Sequence, residues 1–292
     1  MRTSNSAIQT FKACRRLYEL KYIYGLEPVQ TAEVLERGLS YHDGVELLLK
    51  EWADYHNPAK TASIEDPKVK AMVFAFNIYI IPKLAAMKVK PVATEEWFSY
   101  KTKSGHLIVG RIDGRMSGNT LIEHKTTSGA VDGAYFQRLD FDEQIPTYML
   151  AFNSDKMFYT VCETPTIRQR KNESDDEFFE RCLDWYKENT ELKINVVEIK
   201  RTKEELERFK EEQDAIVTEL ANCKLFYRNP SYCTKWGRMC EYASVCMNYD
   251  PSQEYVQFKR REDTYEKAGK AEIRARDCKA TDADSVPNET AD

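Results

Sequence analysis

The stretch GRIDGRMSGNTLIEHKTTS, residues 110–128, most constrains the fold, because strand-forming residues in it and just before it flank a tight turn. These residues, which favour strands, are Leu107, Ile108, Val109 and Ile112 before the turn, and Leu121 and Ile122 after it. Between them lie Ser117, Gly118 and Asn119, and glycine and asparagine readily adopt the positive φ angles of turns. The sequence therefore predicts a β-hairpin.

Two acids and a lysine lie close together on this hairpin. Glu123 and Lys125 are two residues apart on one strand and so share a face, while Asp113 is near the end of the partner strand. One interpretation is an exposed ladder of opposite charges, which contributes on the order of a few tenths of a kcal/mol. The other is a catalytic site, and the rest of the sequence has to distinguish the two.

Hydrophobic periodicity predicts helices before, between and after a small set of strands. The predicted helices are residues 31–52, 66–87, 142–152, 175–192 and 203–226. The predicted strands outside the hairpin are residues 94–101, 156–163 and 194–200. Pro82 is expected to kink or end its helix, and Pro146 fits only near the start of its helix. This arrangement indicates an α/β or α+β layered domain.

Composition limits the class of protein further. The chain has 292 residues, 42% of them hydrophobic, and can bury a core in one domain or two. No apolar run is expected to approach the roughly 20 residues that span a bilayer, and the start lacks the apolar part of a secretory signal. We therefore expect a soluble, cytoplasmic protein with no membrane partner. The net charge of −5 gives no general bias toward nucleic acid, although a local basic patch would suffice.

Three of the eight cysteines, Cys233, Cys240 and Cys246, occur in the short segment SYCTKWGRMCEYASVC. Disulfides are rare inside cells, so such a group suggests a bound metal. Closed metal sites usually have four protein ligands. The fourth is expected to be Cys14 or, closer in sequence, Cys223. The spacing does not distinguish zinc from an iron–sulfur cluster.

The motifs follow one another in a characteristic order. They are SAIQTFKAC with Cys14, RGLSYH with His42, GRIDG with Asp113, IEHK with Glu123 and Lys125, QIPTY with Gln144 and Tyr148, and the cysteine trio. In this order the chain resembles the RecB-like branch of the PD-(D/E)XK nucleases, especially iron–sulfur exonucleases related to CRISPR-associated and phage recombination enzymes. The resemblance runs from Ser6 to Cys246.

The resemblance implies a restriction-endonuclease-like α/β core, in which helices flank a mixed central β-sheet. On this basis residues 1–250 form the nuclease domain with its cysteine segment. Within residues 251–292, the stretch 259–276 is expected to be a charged helix or tail, and the stretch 277–292 is expected to be disordered.

The resemblance also implies a four-iron four-sulfur cluster that joins the two ends of this domain, with zinc as the alternative. Its ligands would be Cys14, Cys233, Cys240 and Cys246. Two features depart from the family: Arg15 follows Cys14 where proline is frequent, and the first two cysteines of the trio are more widely spaced.

By the same resemblance, the hairpin binds Mg²⁺ or Mn²⁺. Asp113 and Glu123 would supply carboxylate oxygens. His42 would add an imidazole, which favours Mn²⁺ somewhat, and the backbone carbonyl of His124 would be a further ligand. Lys125 would orient the attacking water and contact the phosphate.

Other polar residues are expected near these ligands. Gln144 and Tyr148 are four residues apart and share a helix face. The amide would contact DNA, the tyrosine ring would stack on a base, and the tyrosine hydroxyl would contact a phosphate. Glu95 or Glu96 would place another acid near the ion.

The function implied is a metal-dependent DNA exonuclease of phage or bacterial origin that acts in recombination, repair or replication. Single-stranded DNA degraded from a 5′ end is the expected substrate, and recombination or replication proteins are the expected partners. Two alternatives are a non-catalytic scaffold that binds DNA ends in a recombination complex, and a zinc-stabilised interaction protein.

Overall fold

The computed structural model describes residues 1–29, 33–52, 63–248 and 257–260. The strands are β1 (Arg2–Thr3), β2 (Leu26–Pro28), β3 (Pro91–Lys101), β4 (Leu107–Met116), β5 (Thr120–Thr127), β6 (Lys156–Glu163), β7 (Ile194–Lys200) and β8 (Phe258–Arg260). The α-helices are α1 (Asn5–Ala13), α2 (Arg15–Tyr18), α3 (Glu33–Lys50), α4 (Pro67–Ala75), α5 (Ile81–Ala86), α6 (Gly133–Gln137), α7 (Gln144–Phe152), α8 (Asp175–Lys187), α9 (Lys203–Asn222), α10 (Pro230–Cys233) and α11 (Ala243–Asn248).

Six strands form one mixed sheet, which confirms the predicted α/β class and fits a restriction-endonuclease-like core. β4 pairs antiparallel with β3 and β5, and parallel with the short β1. β5 then pairs parallel with β6, and β6 antiparallel with β7. The predicted hairpin is confirmed, with Met116 opposite Thr120.

Hydrophobic side chains pack on both faces of this sheet. On one face, α3, α4 and α8 contribute Tyr41, Val73 and Tyr186 to a buried cluster. On the other face, α7 packs Tyr148 against residues of β3 and β6 in a second cluster. Because helices cover both faces, a polar side chain on β5 can lie in a buried environment even though the hairpin ends at the surface.

The predicted helix at residues 66–87 is one apolar run with an irregularity in the middle. A π-helical turn, Phe76–Ile80, separates α4 from α5, and the N–H of Ile81 donates to the carbonyl of Phe76. Pro82 follows directly and has no N–H to donate. The wider turn accommodates the proline, so the proline alters the helix without ending it.

This run also corrects an expectation from composition. Pro67–Ala86 is long and apolar enough to cross a membrane, although no such run was expected. Half of it is buried inside the fold, where Val73 and Phe76 contribute to the core. A core helix of a soluble protein meets the same criterion, so the run is weak evidence for a membrane span.

Two other predicted helices are shorter than expected. α8 ends at Lys187 and α9 ends at Asn222. Their starts agree with the sequence because Ser174 and Thr202 each form a capping box with a glutamate three residues later, which satisfies the first free N–H groups of the helix.

Segments from the two ends of the chain contact each other. β2 pairs antiparallel with β8, and the hydroxyl of Tyr242 donates to the carbonyl of Leu26 at 2.9 Å. Lys259 and Arg260 therefore lie in a strand and not in a helix. The rest of the predicted charged segment and the predicted disordered end lie outside the described residues.

Candidate active site

The hairpin places two of the predicted acids side by side. Gly114 of β4 pairs with Ile122 of β5, so the adjoining residues, Asp113 and Glu123, are neighbours across the strands. A side chain at position 114 would put its Cβ 2.9 Å from the backbone oxygen of Ala93. Glycine is therefore required here, because it permits the close approach of β3 to β4 beside Asp113.

Asp113 accepts hydrogen bonds from two directions. Its Oδ1 lies 3.3 Å from Nδ1 of His42, and its Oδ2 accepts a 2.7 Å hydrogen bond from the backbone N–H of His124. Burial favours the neutral carboxyl, but the hydrogen bond from His42 and nearby positive charge hold the pKa of Asp113 well below its usual value. Asp113 is therefore ionised and available as a hard oxygen ligand.

His42 reaches the site from α3, which passes over the end of β5. A Cβ at Gly38, one turn earlier, would lie 3.5 Å from Oγ1 of Thr126. Burial lowers the pKa of His42, but the hydrogen bond and negative charge of Asp113 outweigh it, so the pKa is raised above its ordinary value. The predicted proximity of His42 to the hairpin acids is confirmed.

Glu123 and Lys125 form an ion pair on the same face of β5. Burial and the negative charge of Asp113 raise the pKa of Glu123 to about 8. Burial disfavours the ammonium of Lys125, but the two carboxylates raise its pKa above the usual value. The pair is therefore a structured part of the site and not an exposed surface ladder.

The side chain of His124 points to the opposite face of the sheet. Its Nδ1 lies 2.6 Å from Oγ1 of Thr160, and its ring is 5.3 Å from that of Phe76. Burial lowers the pKa of His124 to about 4, so the imidazole is neutral. The backbone N–H of His124 holds Asp113, while the ligand role of its carbonyl stays a prediction.

Of the two acids considered in β3, Glu95 reaches the site. Glu95, Asp113 and His42 each place a donor atom within 4.8 Å of the others. Glu96 instead pairs with Arg115, with 2.5 Å between Oε2 and Nε. Glu95 has a φ of +51°, which is unusual for a residue other than glycine and departs from the backbone of a regular strand.

Arg111 is a further member of this site; it lies in the GRIDG motif, which indicated only Asp113. Its Nε lies 2.5 Å from Oε2 of Glu95, and its guanidinium carbon lies 5.6 Å from the ring centre of Trp97. Residues 97 and 111 are opposite each other on β3 and β4. The contact follows from the register of these two strands, which the sequence does not give.

These residues fit a divalent ion. His42 offers one imidazole nitrogen, and Asp113 and Glu95 offer carboxylate oxygens. Oε2 of Glu123 is buried and has no hydrogen-bond partner among the described residues, so a cation would satisfy it. A set of hard oxygens with one imidazole suits Mg²⁺ or Mn²⁺.

The predicted shared face of Gln144 and Tyr148 is confirmed. The Gln144 amide donates a 2.6 Å hydrogen bond to the Tyr148 hydroxyl, which donates to the carbonyl of Arg111 at 3.0 Å. The ring of Tyr148, however, is only 6% exposed and packs edge-on against Phe98 at 5.4 Å. Little of this side chain is therefore open to a base, and its stacking role stays a prediction.

The four cysteines assigned to the metal site line one cavity of about 540 Å³, whereas Cys223 lines a separate cavity. Cys14 therefore lies beside the trio and Cys223 does not, while the choice of metal ligands stays a prediction. The backbone N–H of Asn229 lies 3.4 Å from the sulfur of Cys14, and the Asn229 side chain donates to the carbonyl of Ala13. Cys162 and Cys182 are buried in the hydrophobic core, as scattered structural cysteines are expected to be.

Residues 2–247 match the family model of the PD-(D/E)XK nuclease superfamily. Among curated proteins, no significant match was found.

Solved structures include more distant likenesses. A phage-related exonuclease from Haemophilus somnus 129PT is 16% identical, with a TM-score of 0.31 over 55% of this chain and 76% of that one. An alkaline exonuclease from Laribacter hongkongensis is 14% identical, with a TM-score of 0.30 over 48% and 61% of the two chains. A candidate exonuclease from Eubacterium rectale is 11% identical, with a TM-score of 0.49 over 85% and 87%. The family assignment therefore rests on the match over residues 2–247.

Proposed function

The chain belongs to the PD-(D/E)XK nuclease superfamily and is a metal-dependent nuclease; from this premise we propose that it is an exonuclease that hydrolyses phosphodiester bonds at DNA ends. The preferred substrate is single-stranded DNA with a 5′ end, and the ends arise in recombination, repair or replication in the cytoplasm. The observation that carries the proposal is the convergence of His42, Glu95 and Asp113 beside the ion pair of Glu123 and Lys125.

The protein residues would divide the work by their chemistry. His42, Asp113, Glu123 and the carbonyl of His124 would hold a divalent ion. When bound, such an ion supplies positive charge beside the scissile phosphate and lowers the pKa of water. Asp113 is kept ionised for this role by its two hydrogen bonds.

Lys125 supplies the N–H donors of the site. Its pKa is raised by the neighbouring carboxylates, so the side chain remains an ammonium at neutral pH. Positioned there, it can donate hydrogen bonds to a phosphate oxygen and to the attacking water, which stabilises the negative charge that develops in the transition state.

DNA contacts are proposed for α7 and its surroundings. Gln144 is partly exposed and has an amide that can hydrogen-bond to a phosphate oxygen. The Tyr148 hydroxyl accepts a hydrogen bond from the Gln144 amide and so holds it in position. We therefore assign the main DNA contact of this helix to the Gln144 amide and not to stacking of the Tyr148 ring.

We further propose that Cys14, Cys233, Cys240 and Cys246 hold a four-iron four-sulfur cluster. The four thiols line one cavity of about 540 Å³, which supports a shared bound group with zinc as the alternative to iron. Visible absorption together with the iron and zinc contents of the purified protein would test this proposal.

The nuclease activity is tested with labelled linear DNA. Single- and double-stranded substrates carrying a label at the 5′ or the 3′ end would be incubated with Mg²⁺, Mn²⁺ or EDTA, beside closed circular single strands. The expected result is release of short products from linear single strands with either metal and no cleavage in EDTA. Cleavage of the circles would show an endonuclease, and no cleavage of any substrate would reject the enzyme.

A further inference from the structure

Glu95 combines an unusual backbone conformation with proximity to the catalytic acids. It lies within β3, yet its φ is +51°, a conformation that is costly for a residue with a Cβ. Backbone strain of this kind is retained where the surrounding structure over-determines it, often at functional sites. The conformation brings the carboxylate to His42 and Asp113, while the next residue, Glu96, pairs with Arg115 outside this group.

The three donor atoms are close enough to bind one ion. Opposite ligands of an octahedral Mg²⁺ are about 4.2 Å apart, twice the usual Mg–O distance, and these atoms all lie within 4.8 Å of one another. Glu123 is the neighbour of Asp113 across the paired strands. One of its carboxylate oxygens is buried and has no hydrogen-bond partner among the described residues. A cation bound here would therefore satisfy atoms from β3, α3, β4 and β5.

Charge supports the same assignment. Glu123 is already paired with Lys125, so Asp113 alone would leave a divalent ion incompletely neutralised. A second carboxylate, from Glu95, balances the two positive charges. On the basis of the proposed function, we propose that Glu95 is a direct ligand of the divalent ion, and that Arg111, which pairs with Glu95, competes with the ion for its carboxylate.

The ion pair between Glu95 and Arg111 predicts how Arg111 affects ion binding. Arg111 lies 2.5 Å from Glu95, and its side chain is 51% exposed, so it can move away at little cost in burial. Binding of the ion exchanges one cation for another at Glu95. Arg111 is therefore a competitor of the ion, and its removal should not weaken ion binding.

Isothermal titration with Mn²⁺ tests the assignment without using catalysis. Glu95→Gln should weaken Mn²⁺ binding at least about tenfold, since even partners outside the ligand set are worth about 10–100-fold in metal affinity. Glu96→Gln is the matched control, because it removes the same charge from the adjacent residue, and it should stay within about twofold of wild type. Arg111→Gln should bind Mn²⁺ as tightly as wild type or more tightly.

Glu95→Gly separates ligation from folding. Glycine adopts a φ of +51° without strain, so this variant should melt at the same temperature as wild type or higher, yet show the same loss of Mn²⁺ affinity. Mn²⁺ affinity near wild type in Glu95→Gln and Glu95→Gly would overturn the assignment while leaving the nuclease proposal intact. An equal loss in Arg111→Gln would also overturn it, because affinity would then depend on the ion pair. A wild-type protein that neither binds Mn²⁺ nor cuts DNA would reject both proposals.

Discussion

The hairpin site and the cysteine site are built in opposite ways. In the hairpin site, donors project from paired strands and from the long helix α3, and Asp113 is fixed by hydrogen bonds at 2.7 and 3.3 Å. In the cysteine site, Cys14 lies at the end of α1, and Cys233 and Cys246 lie in helices of only four and six residues.

Because of this difference, the groups bound at the two sites are expected to contribute differently to activity and to stability. The sheet holds the hairpin ligands in place by itself, so an ion there adds chemistry and little folding energy. Helices of four to six residues are too short to be stable alone. The cysteine segment therefore depends on contacts with α1, on the packing of Tyr242 and Val245 against Leu20 and Leu26, and on whatever the four sulfurs bind. Loss of a hairpin ligand should therefore reduce activity, and loss of a cysteine should reduce stability.

The largest expected effect is on stability, from Cys14→Ser. Structural metal sites contribute on the order of 10 kcal/mol of apparent folding energy, comparable to a net stability of about 5–15 kcal/mol. We expect this variant to lose iron and to melt at a clearly lower temperature. Cys223→Ser is the control, because its thiol lines a different cavity. Iron retained in Cys14→Ser and lost in Cys223→Ser would contradict the joining of the two ends.

Next in size are two hairpin variants that should affect activity without unfolding the protein. Asp113→Asn should lose cleavage about 10³-fold or more, because several kcal/mol of charge stabilisation depend on the ion, and it should also lose Mn²⁺ affinity. Lys125→Met should lose about 10²–10⁴-fold in rate while still binding Mn²⁺. The measurements are single-turnover rates and Mn²⁺ titration. Equal loss of Mn²⁺ affinity in both variants would remove the distinct role of Lys125.

A smaller effect is expected from pH. Burial and the negative charge of Asp113 raise the pKa of Glu123 to about 8, so below that pH a proton competes with the ion for this carboxylate. Loss of this proton should raise Mn²⁺ affinity by about tenfold per pH unit up to about pH 8, above which the affinity should level off. Titrations in buffers with different ionisation enthalpies should show proton release. Glu123→Gln should lack this component, and a flat profile in wild type would exclude Glu123 as a ligand.

The smallest expected effect concerns Tyr148. Tyr148→Phe removes the hydroxyl that links Gln144 to Arg111, and a buried hydrogen bond is typically worth about 1 kcal/mol. We expect a melting temperature lower by about 2–4 °C and DNA affinity within a few-fold of wild type. Tyr227→Phe, at an exposed tyrosine, serves as the control. Unchanged stability with DNA affinity more than tenfold weaker would place the hydroxyl against the substrate.

Local signals in the sequence were sufficient for the sheet and the central motif. β-Branched residues around a Ser-Gly-Asn turn predicted the hairpin, and apolar runs predicted β6 and β7 with the bounds observed. The spacing of Glu123 and Lys125 placed them on one face, as found. These features depend on neighbouring residues, so they could be predicted from the sequence.

Features that depend on the path of the chain could not be predicted. The choice between Glu95 and Glu96 follows from one φ angle. The burial of Tyr148 follows from the packing of α7 on Phe98. Helical spacing shows that Gln144 and Tyr148 share a face, but it does not show which of the two is buried against another strand. Cys14 lies beside the trio because segments far apart in sequence meet. Each of these facts belongs to tertiary structure and has no local signature.

The contact between Cys14 and Asn229 also sets an order of events during synthesis. The two residues are 215 positions apart, and a ribosome adds about 5–20 residues per second. The end of α1 therefore waits about 10–40 s for its partner segment. Asp113 and Glu123, only ten residues apart, emerge well within that interval. The nascent chain can form its hairpin before the cysteine segment exists, so the cysteine site is among the last parts of the molecule to assemble.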